Sequence, residues 1–180
     1  MIVLEPIAPA HAALLQPLLE DPAIAATTPF PHPYPAGGAL EYIHEAMALV
    51  AAGARHVFAV CDPDGRPIGV TLLKDVDPTA REAELGYWIG RPYWGGGRAT
   101  AAAEATLRFA FQTLGLEALS AVCLEDNPAS LRVLAKLGFT RTGHLLWDLP
   151  KWPEPRSCAV MRLSREDWRR ARASAPEAVL

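Results

Sequence analysis

The sequence of 180 residues contains few cysteines, and their spacing suggests neither a metal site nor a redox site. Its three cysteines, Cys61, Cys123 and Cys158, lie far apart within apolar, strand-like segments. Metal-binding and redox motifs place cysteines a few residues apart, so no metal is predicted. We interpret all three as buried thiols of a protein from a reducing cytosol.

Long apolar runs and an excess of charge of one sign are also lacking. No segment approaches the ~18 apolar residues that a membrane-spanning helix requires, and the N-terminus lacks the pattern of a signal peptide. The formal net charge is −3 and the basic residues are scattered. A protein that binds nucleic acid usually has a basic face. The sequence therefore predicts a cytoplasmic protein that binds neither membranes nor nucleic acid.

Apolar segments of strand and helix character follow one another in the order β-αα-βββ-α-β-α-ββ. Strands are predicted at 2–4, 56–61, 68–73, 82–89, 118–123, 139–147 and 157–163. Helices are predicted at 9–19, 40–53, 99–114 and 128–138, with a short one after Ser164. This order predicts one α+β domain over residues 1–180, with a mixed, mostly antiparallel central sheet of about seven strands and helices on both faces.

Two of the predicted helices contain apolar residues at helical spacing, which predicts the face that each helix buries. The two stripes are Leu40, Ile43, Met47 and Val50 in the second helix, and Ala103, Leu107, Phe111 and Leu114 in the third. Between the first two helices, segment 21–38 contains five prolines, which exclude a regular helix or a central strand. The segment is either a stiff connector or a wall over a substrate cleft, with Phe30, His32 and Tyr34 supplying its faces.

Residues 94–100 (WGGGRAT) lie between the strand at 82–89 and the helix that follows. Three successive glycines leave the backbone amides unshielded and permit positive φ, so a loop can wrap around an anion. The helix directs its unpaired N–H groups and its positive end at the same place. These features predict a cradle for a phosphate group.

Two well-known phosphate-binding motifs fit this loop poorly. A P-loop requires a lysine where Gly96 stands, so this motif is excluded. A dinucleotide-binding motif matches at Gly95 and Gly97, but Thr100 occupies the position of the third glycine. The acidic pair at 125–126 ends the next predicted strand, as that fold requires, so a dinucleotide site stays open as an alternative.

Residues 93–100 (YWGGGRAT) resemble the acetyl-CoA loop of the GNAT superfamily of N-acyltransferases, and in particular its RimJ/RimL-type branch. Members of that branch carry a Trp-Gly-x-Gly-x-Ala-Thr run here, and Trp94 replaces the Gln or Arg common elsewhere in the superfamily. Residues 84–89 (ELGYWI) and 127–139, from NPAS to KLGF, match in the same order. The resemblance covers about residues 4–168 and is poorest at 21–38 and 151–155. It implies the acyl-CoA N-acyltransferase fold and acetyl-CoA as co-substrate.

By this resemblance, the strand at 82–89 parts from the strand at 118–123, and the pantetheine arm lies in the opening. The backbone of Trp88 and Ile89 would pair with the pantetheine amides as another strand would. The cofactor-binding residues implied around the pyrophosphate are Trp94, Gly95, Gly97, Arg98, Ala99 and Thr100. Further candidates for pairing with phosphate are Arg91, Arg98 and Arg132, each of which is alternatively a solvated surface residue.

The resemblance and the residue chemistry together nominate catalytic groups. Asn127 is predicted to cap a helix and to bind the cofactor, because a capping side-chain oxygen leaves its amide NH₂ free. Ser130 is predicted to bind the cofactor and to protonate the departing thiolate, or otherwise only to bond back to the cap. Glu84 is the predicted general base, directly or through water, or otherwise a polar residue on an exposed face. His144 and His32 are the fallback bases.

The predicted reaction is direct attack of a primary amine on acetyl-CoA in a ternary complex. An α-amino group, with a pKa of about 7.7–8.0, needs little help to lose its proton at neutral pH, whereas lysine, at about 10.4, needs far more. A protein or peptide N-terminus is therefore the favoured acceptor. A small-amine acetyltransferase and a non-catalytic acyl-CoA sensor stay open. Trp147 and Trp152 are predicted to line an acceptor channel or to make the contact of a homodimer.

Overall fold

The computed structural model describes residues 1–173, so the predicted domain extends to residues 174–180 outside the described part. A seven-stranded sheet forms its centre, in the order β1-β2-β3-β4-β5-β7-β6. The strands are Val3–Pro6 (β1), His56–Cys61 (β2), Pro67–Asp77 (β3), Glu82–Ile89 (β4), Ala118–Leu124 (β5), Thr140–Trp147 (β6) and Arg156–Ser164 (β7). The helices are Ala12–Leu19 (α1), Pro22–Ala25 (α2), Gly38–Ala51 (α3), Arg98–Arg108 (α4), Pro128–Lys136 (α5) and Arg165–Ala173 (α6). The predicted α+β fold with a mixed sheet is confirmed.

One pair of neighbouring strands, β4 and β5, is parallel, and every other neighbouring pair is antiparallel. The parallel pairing extends only from Glu82 opposite Ala118 to Glu84 opposite Ser120. Beyond this point β4 continues to Ile89 on β3, and β5 continues to Leu124 on β7. A gap therefore opens between β4 and β5, as the sequence predicted.

The two faces of the sheet are covered by different helices. On one face, Leu107 and Phe111, on α4 and the turn that extends it, pack with Leu134 of α5 in the same core as Leu85 of β4. On the other face, α1 and α3 form a second core around Trp88. Because neighbouring strand residues point to opposite faces, β4 contributes side chains to both cores and to both sides of the gap.

Helix α3 buries a different face from the predicted one. It buries Ala39, Ile43 and Ala46, and of the predicted stripe only Ile43 is in the core. The other three members of that stripe are 38–40% exposed: Leu40, Met47 and Val50. Both sets have helical spacing, and small alanines allow closer approach of a helix backbone to the sheet. The prediction for the third helix was right at Ala103, Leu107 and Phe111.

Segment 21–38 contains a short helix that the prolines were expected to exclude. Helix α2 begins at Pro22, with Asp21 accepting a 2.9 Å hydrogen bond from the N–H of Ala23. Proline is tolerated there because the first helical N–H has no partner within a helix anyway. The prediction was therefore wrong for one turn of this segment.

Two sequence-based predictions concern burial and membranes. All three cysteines are buried and unbridged, which agrees with the interpretation as core thiols. Within residues 1–173, none of the helices has the length and apolar character needed to traverse a bilayer.

Candidate functional site

The gap between β4 and β5 opens into a cavity of about 760 Å³ that reaches both faces of the sheet. We call the part bounded by residues 93–100 and 127–136 the loop half. The part bounded by residues 24–30 and by Tyr42, Arg55, Lys74, Glu84 and Trp88 is the wall half. All eleven predicted site residues line this one cavity: Glu84, Trp88, Ile89, Trp94, Gly95, Gly97, Arg98, Ala99, Thr100, Asn127 and Ser130.

The N-terminus of α4 forms the centre of the loop half. Gly97 is its N-cap, with φ of 70°, and no side chain caps the helix. The N–H groups of Arg98, Ala99 and Thr100 precede the first intrahelical bond, from Ala101 to the Gly97 carbonyl at 2.9 Å. Unpaired donors and the helix dipole together make this an anion-binding position.

Side chains of the loop itself hold it in place. The Arg98 guanidinium donates to the Tyr93 carbonyl at 3.2 Å and folds over Gly96, where a Cβ would lie 2.5 Å from Arg98 Nη1. The Trp94 indole donates to the Ile89 carbonyl at the end of β4. That carbonyl is therefore engaged by the loop, whereas the predicted role of Ile89 was to offer its backbone to the cofactor.

Positive charge lines the loop half, but not from all the predicted residues. Arg98 and Arg132 line the cavity, and so does Lys136, which the sequence analysis did not nominate. Arg91 is instead 63% exposed and lies 3.9 Å from Asp21. The structure therefore does not bring Arg91 into the site.

The N-terminus of α5 contributes the polar groups nearest to the gap. Asn127 caps the helix as predicted, accepting from the backbone N–H of Ser130 at 3.2 Å. The Ser130 hydroxyl is 2.9 Å from the Tyr87 hydroxyl, and either can donate. The bond to the cap is thus made by the backbone N–H of Ser130, and its hydroxyl contacts Tyr87.

Tyr87 is the residue of this site that was not predicted from the sequence. Burial raises the pKa of Tyr87 well above its usual range, although the hydrogen bond with Ser130 acts in the opposite direction. Burial likewise raises the pKa of the neighbouring Cys123 thiol. Tyr87 therefore stays protonated at neutral pH and can donate to Ser130. The available signal was its position on the strand that, by the family resemblance, parts from its neighbour.

Glu84 lies in the wall half, as the prediction of a base requires. Its carboxylate forms an ion pair with Lys74 at 2.9 Å, between residues that are opposite each other on β3 and β4. The pair is partly buried, with side-chain exposures of 20% for Glu84 and 33% for Lys74. The fallback bases His32 and His144 are exposed and are not among the residues that line the cavity.

Aromatic side chains form much of the wall half. Phe30 makes edge-to-face contacts with Tyr42 at 5.4 Å and with Trp88 at 6.0 Å between ring centroids. Burial raises the pKa of Tyr42 to about 12, so its hydroxyl is also neutral. Within residues 1–173, Trp88 Nε1 is a buried donor without a hydrogen-bond partner. An unsatisfied buried donor costs roughly 1–3 kcal/mol, which an acceptor atom of a ligand would recover.

Lys151, in the loop between β6 and β7, fastens the proline-rich segment over the cavity. Its ammonium donates to three backbone carbonyls: Ala25, Thr28 and Phe30. Burial, and secondarily Arg156, lowers the pKa of Lys151. Part of segment 21–38 therefore forms a wall over the cavity, but of Phe30, His32 and Tyr34, which were predicted to supply its faces, only Phe30 lines the cavity.

Trp147, at the end of β6, and Trp152, in the β6–β7 loop, support this wall. Trp152 stacks on Trp147 with ring centroids 6.3 Å apart, and Trp147 lines the cavity. Lys151 and Arg156 lie over the Trp152 ring at 5.0 and 4.7 Å. Arg156 also donates to the Ala26 carbonyl at 2.8 Å. Both cations that lie over Trp152 therefore also bind the backbone of segment 21–38.

Replacement of Lys151 by methionine is expected to raise the KM for the acceptor several-fold while the KM for the cofactor stays the same. The substitution keeps the apolar stem but leaves the three carbonyls without their donor, a loss of about 1–3 kcal/mol in the free energy of unfolding. Steady-state kinetics with each substrate varied in turn measures the effect. Arg169→Met, which removes an exposed cation of α6, is the control. Equal changes in both KM values would contradict the assignment of the wall to the acceptor.

Glu5, His11 and Cys61 form a cluster whose potential ligand atoms all lie within 4.8 Å of one another. The backbone N–H of Ala8 donates to His11 Nδ1 at 3.1 Å, and His11 Nε2 lies 3.5 Å from Glu5. Burial raises the pKa of the Cys61 thiol to about 11.

The positions of Glu125 and Asp126 exclude the alternative of a dinucleotide site. Glu125 forms an ion pair with Arg141, and Asp126 with Arg156. Neither acid is among the residues that line the cavity, so neither can contact a ribose bound there.

Comparisons with known proteins agree with this geometry. A family model described as "Acetyltransferase (GNAT) domain" matches residues 2–140. The putative ribosomal N-acetyltransferase YdaF of Bacillus subtilis is 34% identical over 80 residues, 44% of each chain. The uncharacterized N-acetyltransferase p20 of Bacillus licheniformis is 30% identical over 124 residues, 69% of this chain and 68% of that one. The match to YdaF thus spans less than half of that relative.

Solved structures of the same architecture include two complexes. Spermidine N-acetyltransferase from Vibrio cholerae, in complex with CoA and spermine, has a TM-score of 0.81 at 20% identity, covering 93% of this chain and 97% of that one. Mycobacterium smegmatis RimJ, in complex with CoA-disulfide, has a TM-score of 0.82 at 23% identity, covering 92% and 82%. At these identities the likeness establishes the fold alone.

Proposed function

Because the chain belongs to the GNAT family of acetyltransferases, we propose that it transfers the acetyl group of acetyl-CoA to a primary amine by direct attack in a ternary complex. The observation that carries this proposal is the gap between β4 and β5, which ends at an uncapped helix N-terminus. A strand-like pantetheine fits an opening between parted strands, and a diphosphate fits unpaired helix amides. The gap joins these two requirements in one cavity.

In this proposal the cofactor occupies the loop half. Its diphosphate accepts from the amides of residues 95–100, while Arg132 and Lys136 compensate the remaining charge. The pantetheine arm lies along β4 at Trp88 and Ile89, and the free NH₂ of Asn127 donates to it. The acetyl group then lies at the place where β4 leaves β5, between Tyr87 on one face and Glu84 on the other.

The acceptor nitrogen attacks the thioester carbonyl, forms the new C–N bond and generates a tetrahedral intermediate. Its surplus proton passes to Glu84, directly or through water. A strand N–H near Ile89 stabilises the negative oxygen. When the C–S bond breaks, Ser130 donates its proton to the thiolate, while the protonated Tyr87 donates a hydrogen bond to the Ser130 oxygen, and Ser130 regains a proton from solvent after CoA leaves.

We infer an α-amine of a peptide or protein N-terminus as the acceptor. An amine with a pKa of about 7.7–8.0 needs little help from a base to lose its proton, whereas a lysine at about 10.4 needs far more. The resemblance to the RimJ/RimL-type branch supports the same acceptor. Buried thiols and the exposed edge strand β6, where Leu146 is 64% exposed, agree with action in the cytoplasm as a homodimer.

Release of CoA thiol from acetyl-CoA, followed with an amine panel of peptides, amino acids, spermidine and aminoglycosides, tests the proposal. We expect release above background with peptides and a stoichiometric acetylated product by mass spectrometry. If calorimetry shows that acetyl-CoA binds but thiol release stays at background with every amine, the protein is a non-catalytic acyl-CoA sensor and not an acetyltransferase. Absence of binding would remove the cofactor assignment itself.

A further inference from the structure

The wall half carries an uncompensated positive charge. Its charged residues are Arg55, Lys74 and Glu84. Lys74 neutralises Glu84 at 2.9 Å, and within residues 1–173 no carboxylate lies within ion-pair distance of Arg55. The described electrostatic neighbour of Arg55 is the neutral phenol of Tyr42. An acceptor that enters the wall half therefore meets a net positive surface.

The register of the sheet relates the positions of the three charged residues. His56 on β2 is opposite Leu73, and Lys74 on β3 is opposite Glu84. Arg55 immediately precedes β2 and Lys74 follows Leu73, so continuation of the β2–β3 register would place Arg55 beside Lys74, and all three charged residues line the cavity. At about 4.8 Å between neighbouring strands, the backbone of Arg55 would then be roughly 10 Å from that of Glu84.

Trp88 supplies a second, independent requirement. It lies on the same face of β4 as Glu84, is 5% exposed, and its Nε1 has no acceptor within the described residues. A complementary ligand therefore needs a carbonyl or carboxylate oxygen close to its reacting amine. A polyamine has no such oxygen, and its other ammonium groups would face Arg55 and Lys74.

We propose that the wall half binds a peptide or protein N-terminus that carries an aspartate or glutamate at its second or third residue. The α-amine lies by Glu84, a peptide carbonyl accepts from Trp88 Nε1, and the acidic side chain pairs with Arg55. A span of roughly 10 Å, at about 3.3 Å per extended residue, corresponds to this position. The proposal rests on the proposed function and names its acceptor.

The test on the wild-type enzyme compares peptides that differ in one side chain. Ala-Glu and Ala-Ala-Glu peptides are matched with their glutamine counterparts in length and C-terminal sequence, with spermidine as the polyamine. We expect kcat/KM to be about tenfold higher for at least one glutamate peptide, mainly through KM, and spermidine to be the poorest substrate. Equal values for glutamate and glutamine, or a preference for spermidine, would overturn the proposal.

Substitution of Arg55 tests whether this residue causes the preference for glutamate peptides. Arg55→Gln is expected to abolish the preference for glutamate, and Arg55→Glu to reverse it in favour of an Ala-Lys peptide. Arg66→Gln, which removes an exposed arginine from the β2–β3 turn, is the matched control and retains the preference. A preference that survives Arg55→Gln rejects the role of Arg55.

The outcomes also separate this proposal from the proposed function. If peptides are acetylated regardless of their second and third residues, the proposal of an N-terminal acetyltransferase stands and only the proposal of an acidic acceptor is rejected. If spermidine is acetylated but no peptide is, both the proposal of an N-terminal acceptor and that of an acidic acceptor are rejected. The wild-type comparison decides between these even where an Arg55 variant fails to fold.

Discussion

Replacement of Gly97 by valine raises the KM for acetyl-CoA about tenfold or more and leaves the fold intact. Gly97 has φ of 70°, and a Cβ there would meet no atom within 4 Å, so the penalty is conformational rather than steric. A side chain in this left-handed region costs roughly 1–2 kcal/mol, which the loop relieves by rotating its amides away from the diphosphate. Tenfold in KM corresponds to about 1.4 kcal/mol.

Gly37 provides a matched control for this substitution. It is the N-cap of α3, with φ of 75°, no side-chain cap and open space around its Cβ, but it does not line the cavity. Gly37→Val is expected to cost similar stability and leave the KM for acetyl-CoA unchanged. Initial rates with acetyl-CoA varied, and thermal unfolding of both variants, measure the difference. An unchanged KM in Gly97→Val would show that the diphosphate binds elsewhere.

Replacement of Ser130 by alanine lowers kcat by about a hundredfold and changes KM much less. The Ser130 hydroxyl is the proposed donor to the departing thiolate. The Tyr87 hydroxyl lies 2.9 Å from the Ser130 hydroxyl. Stability is expected to change little, because the helix cap uses the backbone N–H of Ser130, which alanine retains. Thiol release at saturating substrates, with thermal unfolding alongside, measures both quantities.

Ser164 is the control, since its hydroxyl does cap a helix. It accepts from the N–H of Asp167 at 3.0 Å at the start of α6. Ser164→Ala is expected to lower the free energy of unfolding by about 1 kcal/mol and leave kcat unchanged. If Ser130→Ala behaves like Ser164→Ala, Ser130 only supports its helix. Tyr87→Phe, combined with Ser130→Ala in a double-mutant cycle, measures how far the two hydroxyls act as one unit.

Much of the loop half could be predicted from the sequence because its determinants are local. Gly97 adopts positive φ, Asn127 caps α5, and the strand and helix that frame the loop have clear periodicity. Each of these features depends on residues that are close in the chain. The gap between β4 and β5 was predicted from the family resemblance, since nothing local shows where two strands stop pairing.

The wall half could not be predicted in the same way because it depends on contacts between distant segments. Lys151 bonds the carbonyls of residues more than 120 positions earlier. The pairing of Glu84 with Lys74 follows from the register of β3 on β4, and the contact of Tyr87 with Ser130 joins opposite sides of the gap. On α3, two apolar faces had helical spacing, and only the packing of small alanines against the sheet decides which is buried.

The division of the cavity into backbone and side chains has an evolutionary consequence. The amides at the start of α4 exist whatever amino acids surround them, provided that the turn keeps its shape. Recognition of the coenzyme is therefore largely insulated from point substitutions. The opposite side is made of aromatic, basic and acidic side chains, each of which one codon change can replace. New acceptors can thus arise in descendants of this chain without any loss of the grip on the acyl donor.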